Sequence, residues 1–224
     1  MVKEERIAIF TGHFGSGKTE LAVNYSLKLQ SRGYKTTIVD LDIVNPFFRT
    51  TEVKDILEEA GVRVLSPNFA STTVDIPSLP AEIYSVFQDK EARVVFDVGG
   101  DEVGARALGM YFPYFRREPY RLFYVINVHR PLSATKEDIV EMLRLVEANS
   151  RLRVTDLVNN SNLSYETEVC DIIRGQSVVE EVSNELGLPV TYISGMPDLL
   201  EKLPDDYKAK AFPLKRYMNP PWNS

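Results

Sequence analysis

The sequence reads as an α/β domain, a mostly parallel sheet of about seven strands with helices on both faces, because apolar β-branched runs alternate with helix-period segments along the chain. Gly33, Gly61 and Gly187 each follow a helical run, where helix C-caps fall, and Pro189 comes close behind the last of them. With 224 residues, 44% hydrophobic and 26% charged, the composition is that of an ordinary globular protein, and the length suits one sizeable domain. That domain is expected over residues 1–205, followed by a Pro-rich tail over 206–224.

Arg6-Ile7-Ala8-Ile9-Phe10 reads as a short buried strand at 6–11. After a glycine-rich turn, Leu21, Ala22, Tyr25 and Leu29 share one face of a helix over 18–31. The remaining strands are expected at 36–40, 62–65, 92–97, 121–128, 154–158 and 189–193. Helices are expected near 51–60, 79–89, 101–112, 134–149, 164–186 and 197–203. The Pro-, Ser- and Thr-rich segment 66–78 reads as a long surface loop of the kind that often carries function, with Asp75 as a substrate contact or a helix cap. The tail is locally basic and holds the single Trp222, which favours a docked end over a disordered one.

The turn after the first strand is Gly12-His13-Phe14-Gly15-Ser16-Gly17-Lys18-Thr19, a full G-x-x-x-x-G-K-[ST] phosphate-binding loop. Its glycines let consecutive backbone N–H groups point inward at a polyphosphate, and the helix that follows adds its dipole. Lys18 is placed to reach the β and γ phosphates, and the Thr19 hydroxyl to take a Mg²⁺ position. Two other strand ends are acidic. Thr37-Ile38-Val39-Asp40-Leu41-Asp42 brings two carboxylates to the ligand-binding edge of the sheet, and either could instead cap the next turn. Val94-Val95-Phe96-Asp97-Val98-Gly99-Gly100 ends in a candidate Mg²⁺ carboxylate, Asp97, with the Gly100 N–H three residues on, where nucleotide switches sense a γ-phosphate. The expected architecture is therefore a P-loop NTPase fold.

GHFGSGKT, VDLDIVNP, VVFDVGG and LVNNSN, in that order over residues 6–200, resemble the MinD/ParA/CobQ-CobB class of P-loop ATPases, which includes the nitrogenase iron protein and metal-centre maturation ATPases. The resemblance implies that the phosphate-loop strand neighbours the Asp97 strand and that Mg·ATP drives a homodimer. It also implies that Asp42 orients or activates the attacking water, that Asp40 assists the metal shell, and that Asn159 binds adenine. The class commonly carries a second lysine after the first loop glycine, where this chain has His13. A neutral imidazole cannot replace that ammonium. Three readings stay open: weak activation across the dimer, Arg49 or Arg106 as an arginine finger, or kinship with members that act on small carboxylates.

Base choice follows from Asn159-Asn160-Ser161-Asn162, which ends in an amide where guanine recognition needs a carboxylate, so ATP is favoured over GTP. A net charge of −6 argues against nucleic acid as an obligatory partner. A single cysteine and two histidines exclude a disulfide framework and make a zinc site improbable, and they fit a reducing cytoplasm. Neither a membrane-length apolar run nor a leader pattern is expected.

Cys170 falls inside an apolar-periodic helix and reads as a small core residue, although one from each of two subunits could bridge a metal. Phe47 and Phe48 read either as a partner surface or as core anchors. The segment Tyr111 to Arg117 reads either as a single-strand binding surface or as a packed helix end. Two functions fit this sequence: an ATP-dependent switch with slow hydrolysis handling a protein partner or cargo, and an ATP-dependent kinase or synthetase acting on a small acid.

Overall fold

The computed structural model describes residues 5–42, 50–66 and 81–218. Its sheet contains β1 (Ile7–Thr11), β2 (Thr36–Leu41), β3 (Arg63–Leu65), β4 (Arg93–Val98), β5 (Tyr120–Ile126), β6 (Asp156–Asn159), β7 (Val190–Gly195) and β8 (Ala211–Pro213). Strand parity explains the layering. Ile7 and Ile9 of β1 enter one apolar layer, while Ala8 and Phe10 enter the opposite one. In β5, Leu122, Tyr124 and Ile126 are likewise separated from Phe123 and Val125. Strands that are apolar on both faces need cover on both, and helices supply it. One face carries α1 (Lys18–Ser31) and α2 (Lys54–Glu59). The other carries α3 (Ala81–Gln88), α4 (Glu102–Gly109), α5 (Phe112–Phe115), α6 (Lys136–Ser150) and α7 (Val169–Leu186). Two short turns of helix, α8 (Pro197–Leu200) and α9 (Asp205–Lys208), complete the β8 end.

All strand pairs are parallel, in the order β3-β2-β4-β1-β5-β6-β7-β8. The expected α/β architecture is therefore present, with the phosphate-loop strand β1 beside the Asp97 strand β4. Strands leave β1 in both directions, which opens a crevice at its carboxyl end. The described loops that follow β1, β4, β5, β6 and β7 lie at this edge.

The sheet's eight strands agree with the expected number of about seven, the added one being Ala211–Pro213, which pairs with β7. One reading from sequence is corrected. Cys170 is exposed and not in the core. Glu168 and Asp171 form a capping box that starts α7 at Val169, and the buried face begins at Asp171 and Ile172. Tyr111 and Phe115 are fully buried, and their rings pack with Phe87, so that segment is a helix end laid on the sheet. Arg49, Phe47, Phe48, Asp75, Trp222 and the 66–78 loop beyond Ser66 lie outside the described residues.

After β8 the chain crosses α1 and is tied to it. Lys215 N donates to Asn24 Oδ1 at 2.8 Å, and Asn24 Nδ2 donates back to Lys215 O at 2.8 Å. Tyr217 N and Met218 N donate to the Glu20 carboxylate at 2.7 and 3.1 Å. Burial holds the Glu20 carboxyl above its ordinary range even though these two donors favour its charge. Asn24→Ala removes both bonds to Lys215 and should cost about 1–2 kcal/mol. Amide exchange at Lys215–Met218 should accelerate while the middle of α1 stays protected. Unchanged exchange at these amides would show that the crossing is held by its apolar contacts alone.

Candidate functional site: a phosphate-binding loop at the sheet edge

The loop after β1 is shaped by glycines where side chains cannot fit. Gly12 has φ 154°, and a Cβ there would come within 2.2 Å of Val125 O. Gly17 has φ 86° and caps α1 without a side-chain hydrogen bond, so the N-cap residue leaves the first N–H groups of this 14-residue helix to another acceptor. An N-terminus of this kind is a ready anion site. Within the loop, Ser16 N donates to His13 O at 3.0 Å. His13 Nδ1 and Ser16 Oγ are buried without a partner among the described residues, and Phe14 stands exposed at the tip.

The three acidic strand-end residues meet here. Asp97 is in register with Asp40 on one side and with Phe10 on the other, so the end of β4 stands between the phosphate loop and the end of β2. Asp42 N donates to Asp40 Oδ1 at 3.0 Å, which fixes the turn leaving β2. Lys18 Nζ lies 2.9 Å from Asp42 Oδ2, and both side chains are buried. Burial, the largest influence on Lys18, favours its neutral form. The carboxylates of Asp42, Asp97 and Asp40 outweigh it and raise the ammonium above its ordinary value. Asp97 is also raised, which for a carboxyl favours the neutral form. Burial pushes it up, Lys18 opposes, Asp42 adds repulsion, and the hydroxyls of Thr19 and Thr50 help to hold the charge; the result is about 6.

Mg²⁺ usually takes one or two carboxylates and completes its shell with phosphate and water. The residues fit that demand. Asp97 Oδ1 is buried with no donor among the described residues, and Thr19 lies beside the same carboxyl. Among the described residues no group of three or more His, Cys, Asp or Glu side chains forms a metal cage. Thr19 and Asp97, with Asp40 behind them, could hold the ion against a bound phosphate.

Gly100 seals the loop from the β4 side. A Cβ at this position would lie 1.7 Å from Gly12 O and 3.0 Å from His13 N, so only glycine permits the approach. From the β6 side, Asn160 Nδ2 donates to Ser16 O at 2.7 Å, and Asn160 Oδ1 accepts from Ser194 Oγ at 2.8 Å. Asn159 is placed differently from expectation. Its side chain is wholly buried: Nδ2 donates to Ile172 O and Gln176 Oε1, and Oδ1 accepts from Ser161 N. It still belongs to β6 and points into α7, whereas Asn160, one residue on, turns to the phosphate loop. Arg106 is exposed and ion-paired with Glu102 on its own helix.

Three residues at the site carry no motif. Thr50 Oγ1 donates to Asp97 Oδ2 at 3.0 Å, across 47 positions of sequence. Arg130 Nε donates to Gly15 O at 3.2 Å. Asn127 closes the turn that presents Arg130, accepting from His129 N and Asn162 N. Nothing local in the sequence marks these contacts, although the Asn-rich stretch 159–162 marks the right loop.

No family model and no curated protein sequence matches this chain. Solved structures do. The cell division protein FtsY of Thermotoga maritima superposes with a TM-score of 0.59 at 15% identity, over 86% of this chain and 62% of that one. The signal recognition particle receptor FtsY of Elizabethkingia anophelis gives 0.54 at 18%, over 85% and 59%. A nucleotide-binding protein of Archaeoglobus fulgidus, described in complex with ADP, gives 0.52 at 15%, over 87% and 84%. The chain thus spans about three fifths of the FtsY chains. At such identities the likeness is one of fold, and the fold is that of a P-loop NTPase.

Two substitutions separate the roles of neighbouring residues. Asn159→Ala should lower stability by about 1–3 kcal/mol, by stripping a buried network, and leave the preference between nucleotides as it was. Gly100→Ala should fold yet bind nucleotide at least about tenfold more weakly, because its Cβ pushes the phosphate loop. Thermal melts and nucleotide titrations of both variants check this. A shift in base preference with Asn159→Ala, or normal binding by Gly100→Ala, would contradict the assignment.

Proposed function

We propose that this protein is an ATP-dependent switch of the MinD/ParA/CobQ-CobB class, which binds Mg·ATP at the phosphate loop and hydrolyses it slowly while handling a protein partner or cargo. The observation that carries the reading is the buried pairing of Lys18 with Asp42 beside Asp97, under an α1 N-terminus without a side-chain cap. A lysine held by a carboxylate at the mouth of an anion site is poised to exchange partners when a polyphosphate arrives. Lys18 would then meet the β and γ phosphates. Asp42, released, would face the water that attacks the γ-phosphorus and accept its proton. Thr19, Asp97 and Asp40 would hold Mg²⁺, whose charge offsets that of the phosphates. Gly100, hard against Gly12, would report the γ-phosphate to the segment that follows β4.

ATP is preferred in this reading because the loop after β6 offers amides where guanine needs a carboxylate. Asn162 Nδ2 donates to Asn160 O, and its Oδ1 accepts from Ser164 N. Docking of a second copy is supported by exposed apolar side chains at the same edge: Phe14, Leu132, Leu163, Tyr165 and Met196 stand in loops after β1, β5, β6 and β7. Among the described residues no helix is long and apolar enough to cross a membrane. A small-acid enzyme would need a basic pocket, yet Arg106 pairs with Glu102 and Arg116 lies over Phe112.

Lys18→Ala should weaken ATP binding by about 2–4 kcal/mol, read by calorimetry. Equal affinity in both proteins would remove the site. Asp42→Asn should lower kcat by about 10²-fold or more and keep or strengthen binding, so that light scattering with ATP finds more dimer than in wild type. Unchanged hydrolysis would move the catalytic role elsewhere. A monomer at saturating ATP in both proteins, with turnover stimulated by a small acid, would favour the enzyme instead. Competition titrations in which GTP displaces ATP at equal concentration would overturn the base assignment.

A further inference from the structure

The cation that His13 does not supply has a candidate on the opposite wall of the loop. Arg130 projects from the turn after β5 onto the crown of the phosphate loop, where its Nε donates to Gly15 O at 3.2 Å. Gly15 has φ 75°, which favours glycine, and a Cβ there would sit 3.2 Å from Nε and 3.3 Å from Cδ, so the arginine lies closely along this part of the loop. The turn that presents it is stiff. Arg130 N donates to Asn127 O at 3.2 Å, Ser133 Oγ donates to Asn127 O at 2.8 Å, and Asn127 Nδ2 donates to Asn162 O at 3.1 Å. Leu132 is held at φ 60°, a conformation unfavourable for its side chain and kept by these bonds.

One contact to a carbonyl leaves most of a guanidinium's donors unused. Among the described residues Arg130 has no carboxylate partner and no other side-chain hydrogen bond, whereas Lys18, the cation inside the loop, is matched by Asp42. A planar, permanently charged fork is suited to phosphate oxygens. The other side chains at the crown, His13, Phe14 and Ser16, bring no fixed charge.

We infer that Arg130 is a phosphate-contacting residue of this chain's own nucleotide site: its Nη groups engage the terminal phosphate of a bound nucleoside triphosphate while Nε keeps its hold on Gly15. The inference rests on the nucleotide-binding reading above. It assigns to Arg130 the positive charge that a second loop lysine would otherwise bring, and it needs no partner subunit.

The test compares wild type, Arg130→Ala, Arg130→Lys and the exposed control Arg144→Ala, each titrated with Mg·ATP and Mg·ADP and assayed for turnover. Arg130→Ala should lose about tenfold or more in ATP affinity and less than about threefold in ADP affinity, with turnover falling about 10- to 100-fold. Arg130→Lys should fall between, and Arg144→Ala should match wild type. Added guanidinium should raise the turnover of Arg130→Ala and not that of wild type, a response that a merely structural role would not give. Equal losses of ATP and ADP affinity, with a lower melting temperature of the nucleotide-free protein, would make Arg130 a brace for Gly15 and overturn the inference. So would unchanged affinities and turnover. A wild-type protein that binds neither nucleotide would overturn the functional reading itself, a result distinct from both.

Discussion

A buried ion pair, Lys18 with Asp42, organises this molecule's working edge. Both partners are almost wholly removed from water, and breaking such a pair by deleting one side typically costs about 3–5 kcal/mol. Two further carboxylates, Asp40 and Asp97, stand at neighbouring strand ends, so the single ammonium is outnumbered. The pocket therefore carries excess negative charge, and burial above all, with repulsion from Asp42 added and Lys18 opposing, holds Asp97 near 6. A site in that condition gains from a divalent cation. A polyphosphate gains from the same ion, from the loop's N–H groups and from Lys18. Cation and anion each need the other to make this cluster comfortable, which is a physical reason for a switch to respond to Mg·nucleotide as a unit.

The rest of the fold holds that cluster in place. Parallel register sets Asp40 beside Asp97, and the close approach of Gly100 to Gly12 brings the end of β4 against the phosphate loop. Asn160 anchors the loop from β6, and Thr50, just before α2, anchors Asp97. The C-terminal crossing adds a third attachment. It binds Glu20 and Asn24, residues in the first two turns of the helix that opens at the glycine-rich loop. Motion of that helix would be felt at Lys215, Tyr217 and Met218.

Much of this edge is legible in the amino-acid sequence alone. Glycine spacing and the run Lys18-Thr19 specify the loop locally, and carboxylates at the ends of apolar runs give Asp40, Asp42 and Asp97, because a short apolar β-branched run stops where its strand stops. The remaining parts escape a sequence reading for distinct reasons. β8 is three residues long, too short to show a period. Asn159 and Asn160 are chemically identical neighbours, and only the end of β6 decides which one turns to the loop. Cys170 depends on where α7 begins, which the capping box of Glu168 and Asp171 sets. Arg130 meets Gly15 across 115 positions, and nothing local announces such a contact.

The most direct test of this mechanism is a crystal structure with Mg²⁺ and a non-hydrolysable ATP analogue. Lys18 Nζ should leave Asp42 for the phosphates, Asp97 and Thr19 should stand in the metal's surroundings, and Asp42 should face the γ-phosphorus through a water. A structure in which the analogue binds elsewhere while Lys18 and Asp42 remain 2.9 Å apart would contradict it.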